Sequence, residues 1–375
     1  MSVSSSKFNI LILINVRWWN ATAFYALNIA RLFKKNGHKV IIGCNRDYPA
    51  FKRAEGWGLE TVPLDFYGYN IFRLIRDLVR MIRLIRREKI QFINSHRSED
   101  HTFALIAKWF TKVKLIITRG DRRRISNNMF SKMRYSFSDA VVLTCGSIRE
   151  QNRKVFGPII EKVHVIYGSV DEEHFSIEGT QKSTAQKYRI NLKKKIIGIV
   201  GRLDDVKDQY TFVNAASIVA RKVKDAFFII AGKEERIKVK DLKRVIHELD
   251  MQEHILILPR ISDIADLMNL FDIGIVTSVG SETISRVLLE YMYLGKPVIG
   301  THINAIGEII QSGKNGELFD PRDYHGLAEK MLFLLKKERL RKKYSKNSLD
   351  LYKQEYSEEV FFQKYLEVME GIIHE

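Results

Sequence analysis

Short apolar runs alternate with longer amphipathic stretches along most of the chain. The runs are continuous rather than alternating, which is typical of strands in a parallel sheet that is covered on both faces. They predict strands at residues 7–15, 39–43, 90–94, 114–118, 140–143, 163–166, 196–200, 227–231, 255–258, 273–276 and from 298 onward. Helical periodicity predicts helices at residues 21–36, 71–90, 282–294, 323–344 and 356–373. Strands and helices in this order indicate βαβ units, and therefore an α/β fold.

Length and composition narrow the class of protein. A chain of 375 residues exceeds what one ordinary core accommodates, so we expect two domains. The two cysteines, Cys44 and Cys145, provide no disulfide framework and indicate a reducing compartment. The first 16 residues lack the features of a secretory signal, and no apolar run approaches the roughly 20 residues of a membrane span. These features predict a cytoplasmic protein, either dissolved or peripheral at a membrane.

Positive charge is confined to the first half of the chain. Residues 1–170 hold 30 Lys and Arg against 12 Asp and Glu, a net charge of +18, whereas the remainder holds 32 of each sign. A general need for solubility does not predict such segregation, so the excess predicts an anionic surface or substrate for the first half. A competing hypothesis is a basic nucleic-acid-binding or phospholipid-binding protein without enzymatic activity, although no nucleic-acid recognition motif occurs.

The stretch at residues 278–300 carries the clearest candidate chemistry. It reads as the loop after a buried strand, followed by a helix that Gly295 and Pro297 terminate. Glu282 lies at the mouth of this predicted helix, beside the free amides of residues 283–285, where a helix attracts phosphate. Glu290 lies about 12 Å further along the axis. In the alternative interpretation, Glu282 only caps the helix and Glu290 is a solvated surface charge.

Glu282 and Glu290 match the E-x7-E signature of retaining glycosyltransferases, and the chain resembles glycosyltransferase family 4. Further segments that fit this family are residues 281–283 (SET), 289–290 (LE), 294–301 (LGKPVIGT), 308–310 (EII) and 313–316 (GKNG). The resemblance implies the GT-B fold, an α/β architecture of two Rossmann-like domains that face each other across a cleft. It implies an acceptor-binding domain at 1–168, a nucleotide-sugar-binding domain at 169–355, and a terminal helix at 356–375 that crosses back to the first domain.

The same resemblance implies roles for individual residues of the second half. Arg202 and Lys207, five residues apart after Gly201, would contact the donor diphosphate, and Asp208 stands where a glycine is usual. Glu282 would hold the sugar hydroxyls and Glu290 the ribose. The remaining donor contacts expected in this half are Thr283, Ile284 and Ser285, with Arg260 and Ile261 beside the base.

The first half contributes candidate residues at the ends of its predicted strands. The resemblance places His96 against the donor sugar. The loop at residues 16–22 lacks the family's paired glycines, so Arg17, Trp18 and Asn20 would line the cleft, unless its two tryptophans pack at a domain edge. The cluster at residues 119–124 would bind an anionic acceptor, with Arg119, Asp121 and Arg122 as its contacts, unless it is a solvated loop.

The predicted helix at residues 71–90 is basic and amphipathic. Its arginines recur at helical spacing as Arg73, Arg76, Arg80, Arg83 and Arg87. We expect its apolar side to pack on its own sheet, because a βα unit needs that side for its core. Its arginine side is then available to anionic lipid headgroups.

Together these features predict a retaining glycosyltransferase that takes its sugar from a UDP- or GDP-linked donor. No Asp-x-Asp motif occurs, and the cationic groups near the diphosphate make a metal unnecessary, so neither metal nor cofactor is expected. The acceptor is expected to be an anionic, lipid-linked glycan such as a lipopolysaccharide core, met at the inner face of the cytoplasmic membrane. A dehydrogenase or P-loop enzyme is excluded, since neither G-x-G-x-x-G nor G-x4-G-K-[ST] is present.

Overall fold

A computed structural model describes residues 7–68, 70–280 and 282–374. The chain forms two compact units. The first comprises the described residues up to Ser169 together with those from Glu358 onward, and the second comprises Val170–Ser357.

The first unit is a seven-stranded parallel sheet with helices on its faces. The strand order is β3-β2-β1-β4-β5-β6-β7. The strands are β1 (Asn9–Leu13), β2 (Lys39–Cys44), β3 (Glu60–Pro63), β4 (Phe92–Ser95), β5 (Lys114–Arg119), β6 (Ala140–Leu143) and β7 (Val163–Val165). The helices are α1 (Ala21–Lys35), α2 (Pro49–Gly56), α3 (Ile71–Arg87), α4 (Ser98–Thr111), α5 (Met129–Ser136), α6 (Gly146–Gln151) and α7 (Arg153–Phe156), with a 3-10 helix at Gly157–Lys162 and α16 (Glu358–His374) from the C-terminus.

The second unit repeats this architecture with six parallel strands in the order β10-β9-β8-β11-β12-β13. The strands are β8 (Lys195–Val200), β9 (Ala226–Ala231), β10 (Ile255–Leu258), β11 (Ile273–Val276), β12 (Val298–Thr301) and β13 (Gly316–Phe319). The helices are α8 (Gln181–Tyr188), α9 (Gln209–Lys222), α10 (Val239–Glu248), α11 (Ile264–Asn269), α12 (Arg286–Tyr293), α13 (Asn304–Ile309), α14 (Tyr324–Lys336) and α15 (Glu338–Glu355). The prediction of two doubly wound α/β units is therefore confirmed.

The central apolar runs form strands because they are buried on both faces. In β1, Ile10 to Leu13 are at most 2% exposed, and their backbone pairs in parallel with both β2 and β4. Polar caps set the helix ends: Asn20 accepts a hydrogen bond from the amide of Ala23 at 3.0 Å and begins α1.

Helix α16 completes the core of the first unit. The ring of Phe361 lies 4.9 Å from that of Tyr25, and Phe362 lies 5.1 Å from Phe33, each in an edge-on arrangement. A buried ion pair between Arg31 and Glu358 fixes the start of the helix. The C-terminal helix thus packs on α1.

Several predicted boundaries are wrong. The helix predicted at residues 282–294 begins only at Arg286. The single helix predicted at 323–344 is two helices, since Lys337 leaves the helical conformation between α14 and α15. The polar stretch before Lys195 contains α8, whose Thr180 and Ser183 form a reciprocal capping box.

Helix α3 corrects the expectation about its apolar side. Its buried side chains are Asp77, Met81, Leu84 and Ile85, whereas Ile71, Phe72, Ile75 and Val79 are exposed. The sheet covers one stripe of the helix, and a second apolar stripe faces solvent. Within the described part of the chain, no helix has the length and apolarity needed to span a bilayer.

Candidate active site

Strands β8 and β11 lie side by side in the centre of the second sheet, where the strand order reverses direction. Loops from such neighbouring strands diverge at their carboxyl ends and leave a crevice that commonly binds ligands. The loop after β8 carries Arg202 and Lys207, and the loop after β11 carries Glu282. The expected donor residues therefore meet at this switch point.

Hydrogen bonds join these loops to each other and to the first turn of α13. Thr277 Oγ1 donates to the carbonyl of Lys207 at 2.5 Å, and the amide of Val279 donates to the carbonyl of Val206 at 2.8 Å. The amide of Ala305 donates to the carbonyl of Glu282 at 3.1 Å. Glu282 is thus held from two sides before any ligand binds.

Glu282 and Lys207 form an ion pair at the centre of this arrangement. The two side chains are 8% and 19% exposed, and Ser278 Oγ donates a further hydrogen bond to Glu282 Oε1 at 3.0 Å. The stem of Lys207 crosses Gly201, where an added Cβ would lie 3.4 Å from two Lys207 carbons. A glycine at 201 therefore lets the lysine lie close to the loop backbone. Ser278 was not predicted, although it stands only four residues before Glu282.

Arg202 lies in the same loop but is half exposed. Its Nη2 is 3.1 Å from Asp204 Oδ2, and its Nη1 is 2.7 Å from Glu235 Oε2. Asp204 also accepts hydrogen bonds from the amides of Val206 and Lys207, so it shapes the loop. An anionic ligand would compete with Asp204 and Glu235 for the guanidinium, and with Glu282 for Lys207.

Asp208 has a left-handed backbone, with φ of 47° and ψ of 60°. Glycine adopts this conformation most readily, and aspartate is among the few other residues that tolerate it. Its side chain also caps α9: Oδ1 accepts a hydrogen bond from the amide of Thr211 at 3.3 Å, and Oδ2 accepts one from Thr211 Oγ1 at 2.7 Å.

Substitutions at Asp208 should separate the backbone effect from the cap. Asp208→Ala should destabilise the second unit by about 2 kcal/mol, because it loses the cap and keeps a Cβ in the left-handed region. Asp208→Gly should cost only a few tenths of a kcal/mol. Urea unfolding of the two variants, with Asp208→Asn as the conservative control, measures this difference. Equal destabilisation by Gly and Ala would contradict the backbone argument.

The residues after Glu282 do not form the first helical turn that was predicted. Thr283 and Ile284 lie in a turn, and Ser285 is the N-cap of α12. The tie between Glu282 and Ala305 holds this segment outside the helix. Ser285 Oγ is buried and has no hydrogen-bond partner among the described residues. Ser281, which belongs to the matched motif, lies outside the described residues.

Glu290 is buried at 6% exposure, so the alternative of a solvated surface charge is wrong. Arg286, one helical turn earlier, lies 2.9 Å from Glu290 Oε1. Because Glu282 precedes the helix, the two carboxylates are not related by helical periodicity as predicted. Their arrangement depends on the turn at 283–285.

The loop after β10 borders a groove of about 360 Å³ beside the same sheet edge. Its lining residues are Lys233, Glu234, Lys238, Val239, Pro259 and Arg260. Arg260 is exposed and Ile261 is partly buried. Gly232 brings this edge close to Gly201, since an added Cβ would lie 1.8 Å from the Gly201 carbonyl oxygen. Only glycine fits there.

His96 follows β4 in the first unit and is 3% exposed. Neither ring nitrogen has a hydrogen-bond partner among the described residues, and burial lowers the pKa of His96 to about 3. The imidazole is therefore neutral, with one donor and one acceptor unused. Unpaired buried polar groups of this kind are costly and mark candidate ligand contacts.

The glycine-free loop after β1 divides its aromatic residues between two environments. Trp19 packs edge-on against Trp57, with ring centroids 6.5 Å apart, whereas Trp18 is 63% exposed. The Arg17 guanidinium lies 3.9 Å from the centroid of the Tyr67 ring. The Oδ1 atom of Asn20 is used by the α1 cap. Trp19 thus packs against its own unit, as the second interpretation expected, whereas the assignment of Arg17, Trp18 and Asn20 to the cleft stays a prediction.

A buried network that the sequence did not reveal supports this loop. Asp100 accepts hydrogen bonds from the Asn15 amide at 3.1 Å and from Asn15 Nδ2 at 2.6 Å. Asn15 Oδ1 in turn accepts from the amide of Asn45 at 2.9 Å. The only available signal was two asparagines at strand ends, which is also common in ordinary turns.

Hydrogen bonds and ion pairs among its own residues hold the basic loop after β5 together. This corrects the expected role of Arg119. This side chain is 5% exposed and donates to Asp121, to Tyr135 and to the carbonyl of Arg123. Asp121 also pairs with Arg123, and these arginines hold the pKa of Asp121 below its usual value despite its partial burial. Arg119 and Asp121 therefore build the loop. Arg122 is exposed and has no ion-pair partner among the described residues.

No group of three or more His, Cys, Asp or Glu side chains with the arrangement of a metal site occurs among the described residues. The cationic groups near Glu282 are Lys207 and Arg202, both paired with carboxylates. The crevice is suited to an anion that displaces those carboxylates.

Comparison with known proteins agrees with this geometry. Residues 180–350 match the family model described as glycosyl transferases group 1, and residues 22–174 match the model of glycosyltransferase family 4. The N-acetyl-alpha-D-glucosaminyl L-malate synthase of Bacillus anthracis is 25% identical over 295 residues, which cover 76% of each chain. The UDP-Gal:alpha-D-GlcNAc-diphosphoundecaprenol alpha-1,3-galactosyltransferase of Escherichia coli is 21% identical over 279 residues, or 70% of each chain.

The fold is similar to that of solved enzymes along nearly the whole chain. A glycosyltransferase from Rickettsia africae matches with a TM-score of 0.88 at 21% identity, over 98% of this chain and 99% of the other. The two family models together cover both units, and each unit is a Rossmann-like sheet. The chain is therefore a family 4-like glycosyltransferase with the GT-B fold.

Proposed function

We propose that this protein transfers a sugar, with retention of configuration, from a UDP-linked donor to a hydroxyl of a lipid-linked cell-envelope glycan. The observation that carries the proposal is the buried Glu282–Lys207 pair beside Arg202 at the carboxyl ends of β8 and β11. Two cations next to one fixed carboxylate suit a ligand in which a diphosphate adjoins a sugar. A UDP-linked donor is supported by the galactosyltransferase relative, whose name specifies UDP-Gal.

Unpaired buried atoms support the same assignment. Ser285 Oγ and both nitrogens of His96 are buried without hydrogen-bond partners among the described residues. We assign the hydroxyl of Ser285 to the donor diphosphate and the neutral imidazole of His96 to a sugar hydroxyl. A ligand that reaches them removes the free-energy cost of leaving them unpaired.

In the proposed reaction, the acceptor oxygen bonds to the anomeric carbon while the bond from that carbon to the UDP oxygen breaks. The leaving phosphate accepts the proton of the acceptor hydroxyl, on the same face, so the configuration is retained. Lys207 and Arg202 neutralise the charge that develops on the diphosphate, and Glu282 holds the sugar hydroxyls. No metal is assigned a role in this proposal, because neutralising that charge is assigned to these two cations.

The acceptor is assigned from charge and from the relatives. The first half of the chain carries the whole net charge of +18, which suits an anionic acceptor. The galactosyltransferase relative is named for an acceptor on diphosphoundecaprenol, which is both anionic and lipid-linked. A lipopolysaccharide core or a related envelope glycan has this chemistry.

A donor screen tests the proposal. Thermal unfolding is measured with UDP, GDP and a panel of their sugars, since a ligand at 100 times its Kd stabilises by about 2.7 kcal/mol. The sugar that stabilises most is then used in transfer assays, with NMR of the product to read its anomeric configuration. We expect stabilisation by UDP compounds, retention, and activity that persists in EDTA. Inversion, or no effect of any nucleotide-sugar, would contradict the proposal.

Glu290→Gln should weaken donor binding more than it slows turnover, because we assign Glu290 to the ribose, away from the reacting carbon. The loss of a charged hydrogen bond, about 1.5–3 kcal/mol, corresponds to a roughly tenfold to hundredfold rise in donor Kd. Calorimetric titration with UDP measures it. Glu338→Gln removes an exposed ion pair of the same helical spacing, with Lys342 in α15, and should leave Kd unchanged. A normal Kd in Glu290→Gln would refute the ribose assignment.

Arg122→Gln should raise the acceptor KM about tenfold without changing donor affinity, because its exposed guanidinium is available to an anionic acceptor. Arg123→Gln is the matched control, since that neighbour is committed to Asp121 within the loop. Steady-state kinetics with a fixed donor and a varied acceptor separates the two. If Arg122→Gln changed the Kd of the donor instead, the assignment of Arg122 to the acceptor would be wrong.

A further inference from the structure

Large apolar side chains are exposed mainly on one layer of the first unit. The described residues include 17 exposed large apolar side chains, and ten of these belong to α3, α4 and α5, counting Phe137, which caps α5. The ten are Ile71, Phe72, Ile75, Val79, Trp109, Phe110, Met129, Phe130, Met133 and Phe137. The second unit contributes only three. Such a concentration is unusual for a surface that meets only water.

The three helices form a continuous surface. Helix α3 contacts α4, and α4 contacts α5. Arg86 of α3 donates from Nη2 to the carbonyl of Phe110 at 3.2 Å, and the rings of Trp109 and Phe137 meet edge-on at 6.3 Å. We call the exposed residues of α3, α4 and α5 the apolar-basic face.

Arginines border the apolar side chains on α3. Arg76, Arg80, Arg83 and Arg87 line a groove of about 690 Å³, which Val62, Val79 and Leu84 complete. Two carboxylates lie against these four cations: Asp77 pairs with Arg76, and Glu88 pairs with Arg87. Glu88 is also shared with Lys39. The groove therefore keeps a net positive charge that its own residues do not balance.

Apolar side chains beside unbalanced arginines match one kind of partner best. A bilayer of anionic lipids offers phosphates to the arginines and acyl chains to the aromatic side chains. A second copy of this chain would bring the same four arginines against each other, which is unfavourable. Charge complementarity thus favours the lipid surface over self-association.

We propose that the apolar-basic face docks the first unit onto an anionic phospholipid surface. The arginines of α3 bind lipid phosphates, and the side chains of Phe72, Trp109, Phe110 and Phe130 enter the boundary between headgroups and acyl chains. Phe72 and Phe130 lie in the first turns of α3 and α5, at the carboxyl edge of the sheet where His96 also lies, whereas Trp109 and Phe110 lie in the last turn of α4 at the opposite edge. The inference rests on the proposed function in one respect only: a lipid-linked acceptor would be met at this lipid surface.

Vesicle binding tests the face without requiring catalysis. The full chain is sedimented with vesicles of phosphatidylcholine alone, or with 30% phosphatidylglycerol, over a salt series. We expect binding to the anionic vesicles that weakens with salt. Arg83→Gln/Arg87→Gln should weaken it about 25-fold, at about fivefold for each charge, whereas Lys240→Gln/Lys243→Gln on the second unit should not. Equal binding to both vesicle types, or none at low salt, would overturn the proposal.

Insertion of the apolar side chains into the bilayer can be measured separately, by fluorescence quenching. Vesicles with brominated acyl chains should quench the fluorescence of the wild type, and Trp109→Phe should lose most of that quenching while still binding. Phe72→Ser/Phe110→Ser should reduce binding at least tenfold, whereas Ile177→Ser/Leu192→Ser on the second unit should leave it unchanged. A dimer in analytical ultracentrifugation that buries Trp109, without quenching by the vesicles, would overturn the lipid assignment.

Vesicle binding without nucleotide-sugar turnover would sustain this inference and refute the proposed function, and turnover without vesicle binding would do the opposite.

Discussion

Glu282→Gln is expected to lower kcat by about 100-fold to 1000-fold while leaving UDP affinity within a few-fold of normal. The carboxylate is buried, accepts a hydrogen bond from Ser278 Oγ and forms an ion pair with Lys207, so its position is fixed before the donor binds. The amide keeps the shape but loses the charge-assisted hydrogen bonds that we assign to the reacting sugar. Single-turnover kinetics beside UDP titration measures the two effects separately.

A matched control exists in the same unit. Glu317 is also 7% exposed and receives a hydrogen bond from Tyr344 at 2.7 Å, with Lys330 at 3.5 Å, but it lies on β13, away from the loops after β8 and β11. Glu317→Gln should change stability and leave kcat intact. If both variants keep normal turnover, Glu282 is only a structural carboxylate.

The ion pair also makes a prediction about stability. Lys207→Met leaves Glu282 buried without its counterion, which typically costs about 3–5 kcal/mol. The double variant Lys207→Met/Glu282→Gln should recover much of that stability but no activity. Recovery of activity would show that the pair matters for folding rather than for the reaction.

The second large effect expected is a loss of stability of the first unit in mild acid. Burial lowers the pKa of His38 to about 4 and of His96 to about 3, and it lowers the pKa of His101 well below its usual value. All three stay neutral in the folded chain, whereas the unfolded chain protonates them below about pH 6.5. Their contribution to stability is complete above that pH and is lost as the pH falls.

Asp100 acts in the opposite direction. Burial raises its pKa to about 7, so below pH 7 the folded chain holds a proton that the unfolded chain releases above about pH 4. Between pH 6 and 4.5, the three histidines and Asp100 together bind about two more protons in the unfolded chain than in the folded chain. Stability should therefore fall by about 2.7 kcal/mol per pH unit, or about 4 kcal/mol over this range.

Hydrogen exchange at pH 7, 6 and 5 can assign this loss to β1–β7. The strands of the second unit are the internal reference. His38→Asn is the informative variant, because His38 only accepts a hydrogen bond from the amide of Phe8 and lies away from the candidate site. It should reduce the pH slope by about one proton. A flat profile, or equal loss in both units, would contradict the account.

Most of the strands were predictable from the sequence, although β3 and β13 were not predicted. Continuous apolar runs at β1, β8 and β11 identify buried parallel strands, because such a strand must satisfy two apolar faces with consecutive residues. The fold and the family followed from that pattern and from the motif segments, and both are confirmed. His96 was predicted from its place after a strand, because ligands bind beyond the carboxyl ends of such strands, whereas Arg202 and Lys207 were implied by the family resemblance; all three roles stay predictions.

Contacts between distant residues decided the rest. Lys207 and Glu282 are 75 positions apart, and nothing in their local sequence shows that they pair. The start of α12 moved from Glu282 to Arg286 because Ala305, in the first turn of α13, holds the backbone of Glu282. Arg119 looked like a ligand contact until the structure placed it inside its own loop.

The two faces of α3 show most clearly what the sequence alone could not determine. Periodicity alone identified an amphipathic helix, but it could not say how wide a stripe the sheet would cover. The tertiary structure buries Met81, Leu84 and Ile85 and leaves Phe72, Ile75 and Val79 in solvent. Local sequence determines which residues can be buried. Which of them are buried depends on the area that neighbouring elements cover, and that area is set only when the whole sheet and its helices pack together.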